Sequence, residues 1–311
     1  MSTNAVPPLF VGLVDAVAAF ASGDTAADPA VDAPLAQWLA EHRRHQDSWY
    51  SDLLGVLLLP VDEIDHLRGA GLGDKPPAVG LVGDARRIAA TLSAGGAMAH
   101  WAASPPEAAV HPPAASGLCL IESAVAKRGE DPMPGLRGLL ELASSWPHLQ
   151  VYAEIPLAWG LLSALDAIAG ARADGVSIAA KFRTGGLAAE LFPTPVELAA
   201  VICACRDRGM PFKLTAGLHR AVRHNDPETG LNHHGFVNIL AAAIEAADGA
   251  EVVSVAERLA STDPMSLVEV IRPHRLDPRP LWTGFGSSRI GDAVRDLGAL
   301  GLIAANAADA D

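Results

Sequence analysis

Short apolar runs alternate with longer amphipathic stretches along most of the chain, the pattern of strand–helix units around a parallel sheet. Taken in order, the runs predict strands over residues 10–14, 55–60, 78–83, 117–125, 150–156, 177–184, 211–217 and 282–287. The stretches that follow predict helices over residues 34–53, 61–70, 85–93, 136–146, 160–173, 195–209, 236–248 and 291–302. Asp84 stands where it would cap the third helix, and Thr194 followed by Pro195 reads as N-cap and first turn of the sixth. Eight units predict a (β/α)8 barrel spanning residues 1–311 as one domain, with residues 1–8 disordered. An open doubly wound sheet is the alternative, because the first strand is weak enough to be helical. Two short extra helices, over residues 253–259 and 265–271, precede the eighth strand. The Gly/Asp/Ala/Pro stretch before the first helix reads as a disordered linker. Residues 71–73 and the Pro/Ala-rich residues 101–116 read as loops.

Composition narrows the function. Half of the 311 residues are hydrophobic and 19% are charged, enough for a large core. A net charge of −13 with no basic run interleaved with aromatics is a poor match to phosphate backbones, so no nucleic-acid partner is expected. The apolar stretch 9–20 is too short for a bilayer and is interrupted by Asp15, so no membrane partner is expected either. The start has no signal-peptide pattern, and Cys119, Cys203 and Cys205 are odd in number without metal-type spacing. Both features predict a cytoplasmic protein with reduced thiols.

The candidate chemistry lies at strand ends. Lys181-Phe-Arg-Thr-Gly on the sixth strand parallels Lys213-Leu-Thr-Ala-Gly on the seventh, and lysine is a costly residue for a buried strand unless solvated or paired. Strand alternation puts Lys181 with Arg183 on one face and Lys213 with Thr215 on another. Glu154 and Glu122 hold comparable ends of the fifth and fourth strands, so two carboxylates and three cations would meet at the mouth where barrels keep their active sites. Neighbouring ammonium groups disfavour each other's charge, which predicts a depressed pKa for one lysine and a nucleophilic amine. A plainer reading of the same residues is a buried ionic layer in which the lysines pair with Glu122 and Glu154. After the eighth strand, Gly286, Ser287, Ser288 and Arg289 enter a helix, a setting suited to an anion.

In that order, Leu149-Gln-Val-Tyr-Ala-Glu154, Lys181-x-x-Thr-Gly, Lys213-x-x-Ala-Gly and Gly286-Ser-Ser resemble deoxyribose-phosphate aldolase and its class I aldolase relatives over residues 149–290. The resemblance implies a Schiff base on Lys181, a pKa-lowering role for Lys213, and a phosphate held by Gly286, Ser287, Ser288 and Arg289. His219, just beyond the strand-seven glycine, departs from that family and joins Glu154 and Glu122 as a candidate catalytic residue, with Arg183, Thr184, Gly185, Gly186, Thr215 and Gly217 around the substrate. Phe182-Arg183 departs from the small polar residues of that family. The segments Phe-Lys-x-Thr-Ala-Gly-Leu-His and His-Gly-Phe-x-Asn are also similar to those of uncharacterised bacterial proteins, which implies no activity.

His219, His224, His233 and His234 crowd the loop after the seventh strand. Imidazoles suit transition metals or proton transfer, although this spacing fits no standard metal motif. Three functions are therefore open. The first is a Schiff-base lyase of the aldolase type, without cofactor, acting on a small carbonyl compound that carries a phosphate or not. The second is a metal-dependent hydrolase or isomerase using the four histidines. The third is a non-catalytic barrel that binds a small anion or a protein. A homo-oligomer is compatible with all three.

Overall fold

A computed structural model describes residues 6–17, 35–69, 77–94 and 117–304. Eight parallel strands close into a barrel: β1 (Val14–Val17), β2 (Leu54–Pro60), β3 (Ala78–Val82), β4 (Gly117–Ala124), β5 (Gln150–Glu154), β6 (Ile178–Arg183), β7 (Phe212–Thr215) and β10 (Trp282–Ser287). Around the barrel β10 lies between β1 and β7, so the last strand seals the first, and the open-sheet alternative is excluded. A two-stranded antiparallel hairpin, β8 (His224–Asn225) and β9 (Asn232–His233), rises from the connection after β7.

The helices alternate with the barrel strands: α1 (Leu35–Gln46), α2 (Ile64–Gly69), α3 (Ala85–Ser93), α4 (Pro132–Ser145), α5 (Leu161–Ala173), α6 (Pro195–Asp207), α7 (Phe236–Ala247) and α10 (Ile290–Ala299). The two extra helices are present as α8 (Val252–Ala260) and α9 (Pro264–Ile271). Asp84 caps α3 by accepting from the amides of Arg86 and Arg87. Thr194 and Glu197 form a reciprocal capping box on α6, with Pro195 at the first turn.

Several expected boundaries move, most visibly in the first unit. The first strand is Val14–Val17 rather than 10–14, because Pro8–Phe10 forms a 3-10 turn and Gly12, at φ 61°, redirects the chain before the strand starts. Val6, within the stretch 1–8 expected to be disordered, is buried. The helix expected over 34–53 stops at Gln46, where the Ser48 hydroxyl donates to the His45 carbonyl, and Ser51–Leu53 forms a separate 3-10 turn. The linker before α1 and the loops 71–73 and 101–116 lie outside the described residues.

Strand alternation divides the side chains. Outward residues such as Leu57, Val151, Phe182, Phe212 and Phe285 pack beneath the helices. Inward residues Val56, Leu58, Cys119, Leu120, Tyr152 and Ala179 form a separate apolar plug inside the barrel. The seam between β1 and β10 is clamped by Arg279, 5% exposed, whose guanidinium donates to the carbonyls of Leu9, Val11, Gly12, Trp282 and Thr283. Five carbonyl partners satisfy a cation that would otherwise be too costly to bury.

Candidate functional site

Above the apolar plug the barrel interior turns ionic. Glu154 on β5, Lys181 on β6 and Lys213 on β7 stand in one register across three strands. The Lys181 ammonium donates to Glu122 Oε2 at 2.6 Å and lies 2.9 Å from Glu154 Oε2. Lys213 lies 2.5 Å from Glu122 Oε1 and pairs with Asp15 Oδ2 on β1. Arg183 Nε donates to Glu154 Oε1 at 3.1 Å. The result is a row of alternating charge: Asp15, Lys213, Glu122, Lys181, Glu154, Arg183. Three anions meet three cations, so the row is neutral as a whole. Lys181, Lys213 and Glu122 are almost wholly buried, and exposure rises only at Glu154 and Arg183.

This arrangement reverses the expected lysine chemistry. Glu122 sits between the two ammonium groups with one oxygen on each, so the lysines do not face each other uncompensated. Burial opposes charge on both lysines, but the carboxylates outweigh it. Lys181 is raised by Glu122 and Glu154, and Lys213 is raised strongly by Asp15 and Glu122. The expectation of a depressed lysine pKa is therefore wrong, and the plainer reading of an ionic layer describes the resting site. Burial likewise opposes charge on Glu122, yet its two ammonium partners hold the carboxyl down to about 2. Asp15 moves the other way, raised chiefly by burial despite its partner Lys213.

Asp15 is the member that the strand pattern alone passes over, because it looks like an interruption of an apolar run. It also accepts from the Val56 amide at 2.7 Å, and a Cβ on Gly55 would collide with its carboxylate, so the glycine makes room for the charge. Tyr152 is the other. Its ring lies 5.0 Å below the Lys213 ammonium, a cation–π contact inside the barrel.

Several expected ligand-binding residues join β6 to β7. Thr184 Oγ1 donates to the Ala216 carbonyl at 2.6 Å, and its amide donates to the Thr215 carbonyl. Ala216 (φ 64°) and Gly217 (φ 76°) are successive left-handed residues that fold the chain back for this contact. Gly185 and Gly217 pack backbone to backbone, each leaving no room for a Cβ on the other. Gly186 fits against Leu191. In the expected phosphate segment, the Arg289 amide donates to Ser287 Oγ and the Phe285 amide to the Leu13 carbonyl. Asp292 occupies the first turn of α10, which disfavours an anion there. Gly286 lies in register with Asp15, and Ser288 follows the strand.

The histidines do not form a metal centre. His224 and His233 face each other across the hairpin with rings stacked at 5.3 Å, His219 is 6.2 Å from His233, and Phe192 meets His233 edge-on at 4.8 Å. His234 is buried, contacts the Pro193 carbonyl through Nε2 at 2.8 Å, and is pushed down to about 4 by burial. Among the described residues no group of three or more His, Cys, Asp or Glu is placed to hold a metal ion.

A cavity of about 250 Å3 opens beside the exposed end of the ionic row, not over the lysines. Glu154 and Arg183 reach it from the barrel, Ala126, Lys127 and Arg128 from the β4–α4 loop, and Leu191 and Pro193 from the β6–α6 loop.

No family model matches the chain, and no curated protein matches it. Among solved structures it is similar to a thermostable mutant of a xylanase (Xyn10A) from Cellvibrio japonicus, at 11% identity and a TM-score of 0.40, over 89% of this chain and 86% of that one. The (β/α)8 assignment stands on the closed eight-strand order. No described helix is long and apolar enough to cross a membrane.

Proposed function

We propose that the barrel is an enzyme acting on a small carbonyl compound, and that its chemistry is proton transfer at the open end of the ionic row. The observation that carries this reading is the junction of row and cavity: Glu154 and Arg183 line the cavity, and the buried Lys181 ammonium stands directly behind Glu154. Glu154 is the proton acceptor within reach of a ligand. Its pKa is held below the usual range by Lys181 and Arg183, against burial, so it is ionised at neutral pH. Arg183 would orient a carbonyl or carboxylate oxygen, and the fixed positive charges would favour an enolate-like anion as it develops. Isomerisation, or a lyase reaction that begins with a proton removed beside a carbonyl, fits this set. The test is exchange. Small oxo acids and sugar phosphates in deuterated buffer should lose the hydrogen beside the carbonyl in NMR spectra, and Glu154→Gln should stop it. Exchange at the same rate with Glu154→Gln would remove Glu154 from the role.

The Schiff-base reading is favoured by one observation, the adjacent register of Lys181 and Lys213 beside a carboxylate that touches both. It requires Lys181 to lose a proton that two carboxylates now hold. Borohydride reduction in the presence of the same carbonyl compounds decides between the readings. Proton transfer without a covalent intermediate leaves every lysine unmodified; an adduct on Lys181 establishes the amine as nucleophile.

A further inference from the structure

We propose, resting on the reading of Glu154 and Arg183 as the reacting end, that the cavity selects a compact substrate with a second anionic group, held by Lys127 and Arg128. Glu154 is spent on Lys181 and Arg183. Glu197 is turned to the amide and hydroxyl of Thr194 in the α6 capping box and keeps its negative charge, its pKa held below the ordinary value chiefly by those hydrogen bonds and also by Arg128 nearby. Glu190 keeps an exposed carboxylate, while its backbone carbonyl accepts from Arg128 Nη1 at 2.8 Å. That bond ties the β4–α4 loop to the β6–α6 loop and holds the guanidinium at the rim. Lys127 is exposed, and its ammonium has no ion-pair partner among the described residues; only its backbone amide is engaged, by Glu130. Lys127 and Arg128 therefore carry their charge at the rim without an ion-pair partner among the described residues, and they are the lining groups that can receive an anion.

The rest of the lining limits what that anion is attached to. Ile155, Pro156, Leu157 and Leu191 supply apolar walls between the barrel end and the rim. A volume of about 250 Å3 falls below the roughly 300 Å3 at which pockets for drug-sized ligands begin. A nucleotide or an oligosaccharide is too large. A short carbon chain with an oxygen function at one end and a carboxylate or phosphate at the other fits the chemistry. Lys127 and Arg128 are thus specificity-determining residues, and the second anion is recognised at the β4–α4 loop rather than after β10.

Calorimetric titration of the full chain tests this without turnover, using succinate and phosphonoacetate as dianionic probes and butyrate as the monoanionic one. The dianions should bind at least tenfold more tightly than butyrate. Lys127→Ala combined with Arg128→Ala should abolish the difference, Glu190→Gln should increase it, and Arg289→Ala should leave it unchanged. Both cations are exposed, so the double variant should fold, and thermal unfolding would check it; Arg128→Lys, which keeps the charge, should retain part of the preference. Equal affinities for dianions and butyrate in the native chain would overturn the proposal, as would a preference that survives the double variant or vanishes with Arg289→Ala. Dianion binding without hydrogen exchange would leave this site standing and remove the proton-transfer reading.

Discussion

The ionic row and the histidine hairpin are equally dense in titratable side chains, yet they do opposite things with them. The row draws its members from β1, β4, β5, β6 and β7, far apart in sequence, and brings their charged atoms into contact inside the barrel. The hairpin region draws four histidines from one stretch of chain and puts them to different uses: His224 stacks on His233, His219 lies tilted beside His233, Phe192 meets His233 edge-on, and His234 makes a buried contact with a carbonyl. Crowding along the sequence is set by the loop, whereas equivalence across strands is set by the barrel. A parallel barrel aims its inward side chains at a common axis, and a short hairpin alternates its own to opposite sides. Recurrence at matching strand positions was therefore the better guide to a site than local abundance.

The largest difference should show in stability. Glu122 touches both lysines, and its loss leaves two buried ammonium groups short of a partner. Glu122→Gln should cost about 3–5 kcal/mol, the range for breaking a buried ion pair from one side. Urea unfolding measures this, and a cost below about 1 kcal/mol would mean that the row is far wetter than its burial implies.

Acid separates the two regions by pH. Folding holds Glu122 near 2 against an ordinary value of 4.5, so its contribution is complete above pH 4.5 and is lost as the pH falls towards 2. Folding holds His234 near 4 against 6.5, so that contribution is complete above pH 6.5 and fades as the pH falls through 4. A shift of this size corresponds to about 3 kcal/mol at full effect. Stability should thus decline in two stages, with the hairpin anchor first and the row second. His42, also lowered to about 4 by burial, adds to the first stage. His234→Gln can still donate to Pro193 and should flatten part of the loss between pH 6.5 and 4. An unchanged profile would show that His234 is not the group that titrates.

Much of the fold is legible in the sequence, and each departure has a particular cause. The barrel follows from the alternation of apolar runs with amphipathic helices, and the caps at Asp84 and Thr194 follow from local chemistry. The first strand was displaced because apolar Leu9 and Phe10 mark burial equally in a strand or in the 3-10 turn that they occupy. Lys181, Lys213, Glu122 and Glu154 were legible as the costly residues of buried strands. The direction of the lysine shifts was not, because register puts the two lysines side by side but does not reveal a carboxylate from β4 inserted between them. Asp15 carries a signal of the same kind, a charge inside an apolar strand, but by itself it reads as a break in the run. Thr184, Gly185 and Gly217 read as ligand-binding because tight glycine turns at strand ends serve both binding and packing, and in the structure they pack β6 on β7.

The smallest effect belongs to the histidine stack. His233 contributes ring contacts to His224 and Phe192 and a hydrogen-bonding contact from Nδ1 to the Gly217 carbonyl at 3.2 Å, all at a partly open surface. Ring pairs of this kind are worth about 1 kcal/mol beyond the area they bury. His233→Ala should therefore lower stability by about 1 kcal/mol, far less than Glu122→Gln. The stack also bears on the metal alternative. A ligand that binds only the folded chain raises its melting temperature by mass action, so zinc or manganese added to the native protein should leave that temperature unchanged. A rise in melting temperature that disappears with His233→Ala would mean that the imidazoles rearrange around the ion, and the hairpin would become the second site of the molecule.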